Sequence, residues 1–150
     1  MRRWRDHFDD RGQMAGIEAV PFGFLIFVAG ALLLANAWAV VDAKLAVTAA
    51  AREAARAYVE ADDGAHAEIT AVDAGRSAIS GHGRDPDDLT LLLHAEGFWR
   101  CAPVTVEAGL SVPSINLPFI GGFGRTFEVR ASHHEVVDPY RSGLDGPARC

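Results

Sequence analysis

Histidines are the first residues to examine as catalytic or metal-binding groups. The chain has 6 histidines, and His133 and His134 are adjacent, with Glu135 and Asp138 close by. Neighbouring residues on a β-strand point to opposite faces, so this pair does not converge on one metal ion. Three further histidines show no spacing typical of metal ligands: His66, His82 and His94. We therefore expect solvated histidines, no metal site and no cofactor.

Motifs of common enzyme classes are missing from the sequence. It contains no H-E-x-x-H, no G-x-S-x-G and no glycine-rich phosphate loop after a strand. The net charge is −6 at pH 7. Nucleic acid is a poor partner for such a chain, since binding it requires a basic surface that neutralises phosphates. We expect a protein that is not an enzyme and does not bind nucleic acid.

Glu18 lies at a position where burial of a charged carboxylate would cost free energy. Glu18 directly precedes residues 19–41, a run of 23 residues without Asp, Glu, Lys, Arg or His. About 20 apolar residues suffice for a helix to cross the hydrocarbon core. The helix macrodipole favours a negative charge at the helix start, but a carboxylate among helices in lipid needs a partner. Without such a partner, Glu18 is an interfacial carboxylate.

The two cysteines offer a covalent link. In an oxidising compartment Cys101 and Cys150 would form a disulfide that ties the chain end to the body of the domain. Two unrelated free thiols are the alternative, although an unpaired terminal thiol would be exposed and reactive.

A long helix must carry the apolar run. The run continues into an alanine-rich segment without Pro or Gly until Gly64, and Pro21 is tolerated near the helix start. Residues 16–61 are therefore predicted to form one helix of about 45 residues and ~70 Å. We divide the chain into a cytoplasmic leader (1–15), a transmembrane helix (16–41), a helical stalk (42–63) and a head (64–150).

Small side chains recur at a spacing of four along this helix. Close approach of helix backbones in lipid requires such residues, so the row is suited to helix packing. The alternative is that the sequence is simply rich in alanine. The first row is Ala31, Ala35, Ala39 and Ala43, and a second row is Ala46, Ala50 and Ala54.

The head is predicted to be α+β. Ile69, Val72 and Ile79 have helical spacing and predict a second helix over residues 66–80. Alternating apolar residues predict strands over 89–95, 103–112 and 126–137, which would pack as a small antiparallel sheet on the helix. Residues 113–125 are predicted to be a Pro/Gly-rich loop, with a turn at 121–124. Pro139 should end the last strand, and Tyr140 should cover the core edge. The loop presents four apolar residues: Ile115, Leu117, Phe119 and Ile120.

Membrane orientation follows from flanking cations. Four arginines precede the apolar run, and three cations follow it within the range that affects topology, which favours a cytoplasmic N-terminus and an external head. A cleaved secretory signal is the rival interpretation, with cleavage after small-x-small sequences at residues 35–37 or 37–39. The flanking cations are Arg2, Arg3, Arg5 and Arg11, then Lys44, Arg52 and Arg56.

Several motifs in order resemble one family. They are Arg11-Gly12, A-G-I-E-A-V-P-F-G-F with its Glu before the apolar run, A-A-R-E-A-A-R-A at 50–57, R-C-A-P-V-T-V at 100–106 and E-V-V-D-P-Y-R-S-G-L at 135–144. Together they resemble the TadE-like pilins of tight-adherence pilus assembly, in their actinobacterial form.

This resemblance implies a non-enzymatic minor pilin or pseudopilin-like subunit with a pilin-like fold. A prepilin peptidase would cut between Gly12 and Gln13, and the helix would join other pilin-like subunits and the assembly platform in the membrane. Glu18 would then pair with the new amine of an adjacent subunit. After this cut Glu18 is the sixth residue, whereas the family usually has its glutamate fifth. The alternative function is a single-pass, membrane-anchored extracytoplasmic binding module that contacts a ligand or the cell envelope through residues 113–124.

Overall fold

The computed structural model describes residues 19–117 and 121–150. These residues form a helix α1 (Ala19–Glu60), a helix α2 (Gly64–Gly81), a 3-10 turn (Pro86–Asp88) and three strands, β1 (Leu89–Ala95), β2 (Pro103–Leu117) and β3 (Gly121–Val136). The α+β layout predicted from the sequence, with a long apolar N-terminal helix and a small antiparallel sheet, is confirmed.

Helix α1 is unbroken over 42 residues, or ~63 Å. Pro21 lies in its first turn, where the missing N–H has no helical partner to lose. The helix ends before Asp62 and Asp63, and Asp63 caps the next helix. Its carboxylate accepts hydrogen bonds from the backbone N–H groups of Ala65 and His66 at 2.9 and 3.0 Å.

Helix α2 packs closely on α1 because both contacting faces consist of small residues. The buried positions of α2 follow a spacing of four residues: Ala67, Ala71, Gly75 and Ile79. A Cβ atom at Gly75 would lie 3.4 Å from Ala54 Cβ and 2.7 Å from Leu91 Cδ1. Gly75 weakens the sequence-based prediction of a helix, but here it permits the close approach of three elements.

The sheet has the order β1-β2-β3, and both pairs are antiparallel. Its inner face lies on α1, and the even-numbered residues of β2 from Val104 to Val112 are buried there. Two clusters form the core. Ala43 and Val47 of α1 share one cluster with Leu110 and Val112, whereas Ala54 and Tyr58 share the other with Val104 and Val106. Strand β2 therefore runs antiparallel to α1.

Residues 113–117 and 121–125 do not form the predicted loop. β2 and β3 continue as a two-stranded ribbon, in which Ile115 is paired with Phe123 and Leu117 with Gly121. Pro113 does not stop the pairing because the register shifts between Pro113 and Ile115, and such an irregularity accommodates the missing N–H. The prediction of a turn at residues 121–124 is also wrong, because these residues belong to β3.

Candidate functional site

The apolar half of α1 is a candidate functional surface. Within the described chain, none of residues 19–41 is buried, and large side chains such as Phe27 and Leu34 are 71% and 76% exposed. By length and composition, this helix could cross a membrane. Asn36, a polar side chain within the run, donates from Nδ2 to the Leu32 carbonyl at 2.8 Å, which suits an apolar surrounding.

The predicted row of small residues is divided between two environments. Ala31 and Ala35 are exposed and Ala39 is partly exposed, so their surface is open to another helix. Ala43 is fully buried in the core beneath the sheet. Ala43 therefore packs within its own chain, and the surface available for helix packing is Ala31, Ala35 and Ala39.

Charged side chains join the head to α1 just past the apolar run. Arg84 Nη2 donates to Asp42 Oδ2 at 2.7 Å and to the Ala39 carbonyl at 3.4 Å. Lys44 Nζ donates to the Arg130 carbonyl of β3. These contacts are not predictable from the sequence, because Arg84 and Asp42 are 42 residues apart and no local pattern pairs them.

Arg141 contacts the C-terminal end of α1. Its guanidinium donates to the Val59 carbonyl at 2.7 Å and to the Ala61 carbonyl. A cation at this position satisfies carbonyls that have no helical partner and complements the macrodipole. Arg141 also lies 5.3 Å from the ring centre of Phe98. The prediction for its neighbour Tyr140 is wrong: Tyr140 is 81% exposed, and Arg141 makes the contacts instead.

The sulfur atoms of Cys101 and Cys150 lie at disulfide distance, 2.11 Å apart. The bond links the segment before β2 to the last residue of the chain, over a sequence separation of 49.

Tyr58 of α1 also contacts the segment between β1 and β2, where its Oη donates to the Gly97 carbonyl at 3.3 Å. Burial of Tyr58 raises the pKa of its phenol.

The histidine pair lies on β3, with its two rings on opposite faces of the strand as expected. His133 Nε2 donates to Glu135 at 3.0 Å, and His134 shares a hydrogen bond of 2.8 Å with Thr105. Among residues 19–117 and 121–150, no three His, Cys, Asp or Glu side chains form a group that could hold a metal ion.

The ribbon of residues 113–117 and 121–126 is a second exposed apolar feature. Ile115 and Phe123 are paired across its two strands and are 50% and 48% exposed. Ser114 Oγ donates to the Arg125 carbonyl across the strands. Phe119 and Ile120, also predicted to be exposed, lie outside the described residues.

Three predicted site residues lie outside the described residues: Gly12 and Gln13 of the proposed cleavage site, and Glu18. Their roles stay predictions from the sequence. Comparison of the chain with protein-family models, with curated proteins and with solved structures gives no match.

Proposed function

We propose that this protein is a non-enzymatic, pilin-like subunit of a tight-adherence (type IV-like) pilus or secretion assembly. The observation that supports this function is the change in the surroundings of α1 at Asp42, from an exposed apolar half to a half that packs against the head. Among the described residues, none of residues 19–41 is buried and Ala39, at the end of this run, is contacted by Arg84 of the head, whereas much of the helix beyond them is buried under the head. A helix that is apolar all round and uncovered requires lipid or other helices as its surroundings.

Assembly takes place through the uncovered half of α1. Ala31, Ala35 and Ala39 allow the helix of another pilin-like subunit to approach closely, and dispersion contacts and interhelical hydrogen bonds then hold the helices together in lipid. Cleavage between Gly12 and Gln13 by a prepilin peptidase creates an amine near the helix start. Glu18 pairs with the amine of an adjacent subunit, which offsets the cost of placing both charges among helices.

The head is placed outside the cytoplasm, and the protein crosses the membrane once. Two observations support this arrangement: the cations that precede the apolar run, and the close approach of Cys101 and Cys150. Disulfides persist in oxidising compartments and are rare in the cytosol.

Mass spectrometry of the mature N-terminus in the native host tests the proposal. A chain that begins at Gln13 supports processing by a prepilin peptidase. A chain that begins near Trp38 or Val40 identifies a cleaved secretory signal and contradicts the proposal, because the apolar helix would be lost. An intact Met1 indicates a simple anchor.

A Glu18→Gln variant tests the charge at the helix start. We expect loss of co-assembly with other pilin-like subunits while membrane insertion is retained, since the amide has the same size but no charge. Glu53→Gln is the matched control, because Glu53 is an exposed carboxylate on the covered half of α1. Assembly of the Glu18→Gln variant at the level of this control would refute the role of Glu18.

A membrane-anchored extracytoplasmic binding module is the second candidate. The exposed apolar pair Ile115 and Phe123 favours it, because exposed apolar patches often mark interaction sites. Variants of residues 31 and 35 separate the two functions: they impair a pilin-like subunit and leave a binding module active.

A further inference from the structure

The ribbon combines exposed apolar side chains with a long uncharged stretch. Between Glu107 and Arg125 the sequence contains no Asp, Glu, Lys, Arg or His. Within this stretch, Ile115 and Phe123 project from paired positions and remain about half exposed. An aqueous ribbon normally carries charges along its open edges, since these prevent pairing with other strands. The composition of this ribbon therefore indicates an apolar or interfacial surrounding.

The course of β2 shows where the ribbon points. Val104 packs in the cluster of Tyr58, near the end of α1, and Val112 packs in the cluster of Ala43. Beyond Val112 the strand therefore continues in the direction of the uncovered half of α1. The five residues from Pro113 to Leu117 extend it by up to ~16 Å at about 3.3 Å per residue.

The membrane boundary lies close to the start of the ribbon if α1 is the anchor. Asp42 is the first charged residue after the apolar run, and Arg84 of the head pairs with it. The next residue, Ala43, belongs to the same core cluster as Val112. Residues after Val112 consequently extend from the level of the boundary toward the bilayer.

The hydrogen bonding of the ribbon limits its depth. Strand β1 does not pair with β2 beyond Leu110, so within the described part of the chain the ribbon has two strands and two open edges. Unpaired N–H and C=O groups on these edges require water or lipid headgroups, and the hydrocarbon core supplies neither. Aromatic and aliphatic side chains can nevertheless enter the interfacial zone.

We propose that the ribbon inserts Ile115 and Phe123 into the interfacial zone of the bilayer leaflet that faces the head. The lipid surface is its partner, and the ribbon provides a second membrane contact beside α1. This inference rests on the membrane anchoring in the proposed function and is independent of pilus assembly. Continuity with the apolar half of α1 and the lack of charge between Glu107 and Arg125 favour lipid over a protein partner.

The test uses the full-length chain in phosphatidylcholine–phosphatidylglycerol vesicles. A single cysteine is introduced as Phe123→Cys and carries an environment-sensitive NBD label; Cys101 and Cys150 remain bonded to each other. Val136→Cys is the matched control, since Val136 is an exposed apolar residue at the other end of β3. Leu33→Cys reports on the helix, where Leu33 is 72% exposed. Iodide in the water and nitroxides at shallow or deep positions of the lipid quench the label.

We expect the label at residue 123 to be several-fold less sensitive to iodide than the label at 136, and to be quenched by shallow nitroxides. Equal iodide sensitivity at 123 and 136, with the label at 33 quenched by deep nitroxides, would overturn the inference and leave the anchor intact. Loss of lipid quenching at residue 33 would overturn both proposals. Shielding at 123 that disappears at one chain per vesicle would assign the ribbon to a second copy and also refute the lipid contact.

Discussion

The two halves of α1 have similar small residues at the same spacing but different surroundings. Ala31 and Ala35 of the first half are exposed, whereas Ala46, Ala50 and Ala54 of the second half are buried under α2 and the sheet. Alanine every four residues creates a flat helix face in both halves. The spacing alone therefore does not determine what packs on the face, and the rest of the chain decides it.

The covered half of α1 shows how closely another helix can pack on a face of small residues. Gly75 of α2 lies directly against Ala50 and Ala54, since a Cβ at this position would be in van der Waals contact with both, 3.5 Å from the Ala50 carbonyl oxygen and 3.4 Å from Ala54 Cβ. Helices approach this closely only when both faces are small. The exposed half presents the same kind of face to lipid or to a neighbouring subunit, and this similarity is the physical basis of the proposed assembly.

Removal of the disulfide has the largest expected effect and tests whether the covered half depends on closure of the head. The double variant Cys101→Ser, Cys150→Ser should lose about 2–4 kcal/mol of head stability, because the bond restricts the unfolded chain. Near-UV circular dichroism during thermal unfolding in detergent measures this loss. Membrane insertion of the exposed half should not change. A variant as stable as the wild type would show that the head does not need this bond.

A matched pair of alanine variants tests the comparison directly. Ala50→Leu should destabilise the head by about 1–3 kcal/mol, because the added side chain overpacks a full site. Ala35→Leu makes the same chemical change on the exposed half and should leave the unfolding temperature of the head unchanged. Equal unfolding temperatures for both variants would mean that the two halves do not differ in packing.

The sequence predicted the elements because their patterns are local. Helical spacing predicts α2, and strict alternation predicts both β2 and its buried face, as Val106 illustrates. The buried face of α2 is not identified by its large apolar residues, because Ile69 is 62% exposed and Ala67, Ala71 and Gly75 are buried beside Ile79. The Cys101–Cys150 approach was also predicted, since the chain has only two cysteines. A run of uncharged residues in α1 likewise needs no tertiary information.

Contacts between distant segments were not predictable. Arg84 reaches Asp42 and Arg141 reaches Val59 only after the head has folded onto α1. The sequence of the ribbon predicts a loop, because Pro113 and the glycines at 121–124 normally interrupt strands. Its pairing depends on a register shift that no sequence pattern identifies.

A smaller effect, on helix association, is expected when larger side chains replace the alanines on the exposed half of α1. The double variant Ala31→Leu, Ala35→Leu should weaken helix association by about 1 kcal/mol, because the bulky side chains separate the backbones. Ala37→Leu is the control, since Ala37 is exposed on another face of the helix. Cysteine cross-linking between helices in membranes measures the change. Equal cross-linking in both variants would exclude this row as the contact surface.

The smallest expected effect is a loss of stability at acidic pH that arises from Asp63, which caps the start of α2. Helix α2 covers the second half of α1. The His66 ring donates to the Asp63 carboxylate, and the backbone N–H groups of His66 and Ala65 also donate to it. These hydrogen bonds lower the pKa of Asp63 below its ordinary value of 3.8. Folding therefore favours the charged carboxylate. Its stabilising contribution is complete above about pH 4 and is lost as the pH falls through the lowered pKa.

An Asp63→Asn variant separates this charge from the cap geometry. Asparagine caps a helix about as well as aspartate, so the unfolding temperature at pH 7 should fall only slightly. Between pH 5 and pH 3, measured at about the same ionic strength, the wild type should lose more stability than the variant, because asparagine has no proton to gain in this range. The exposed half of α1 should give the same helical signal in both proteins at both pH values. If both lose the same stability on acidification, another carboxylate controls the acid response and Asp63 acts only as a neutral cap.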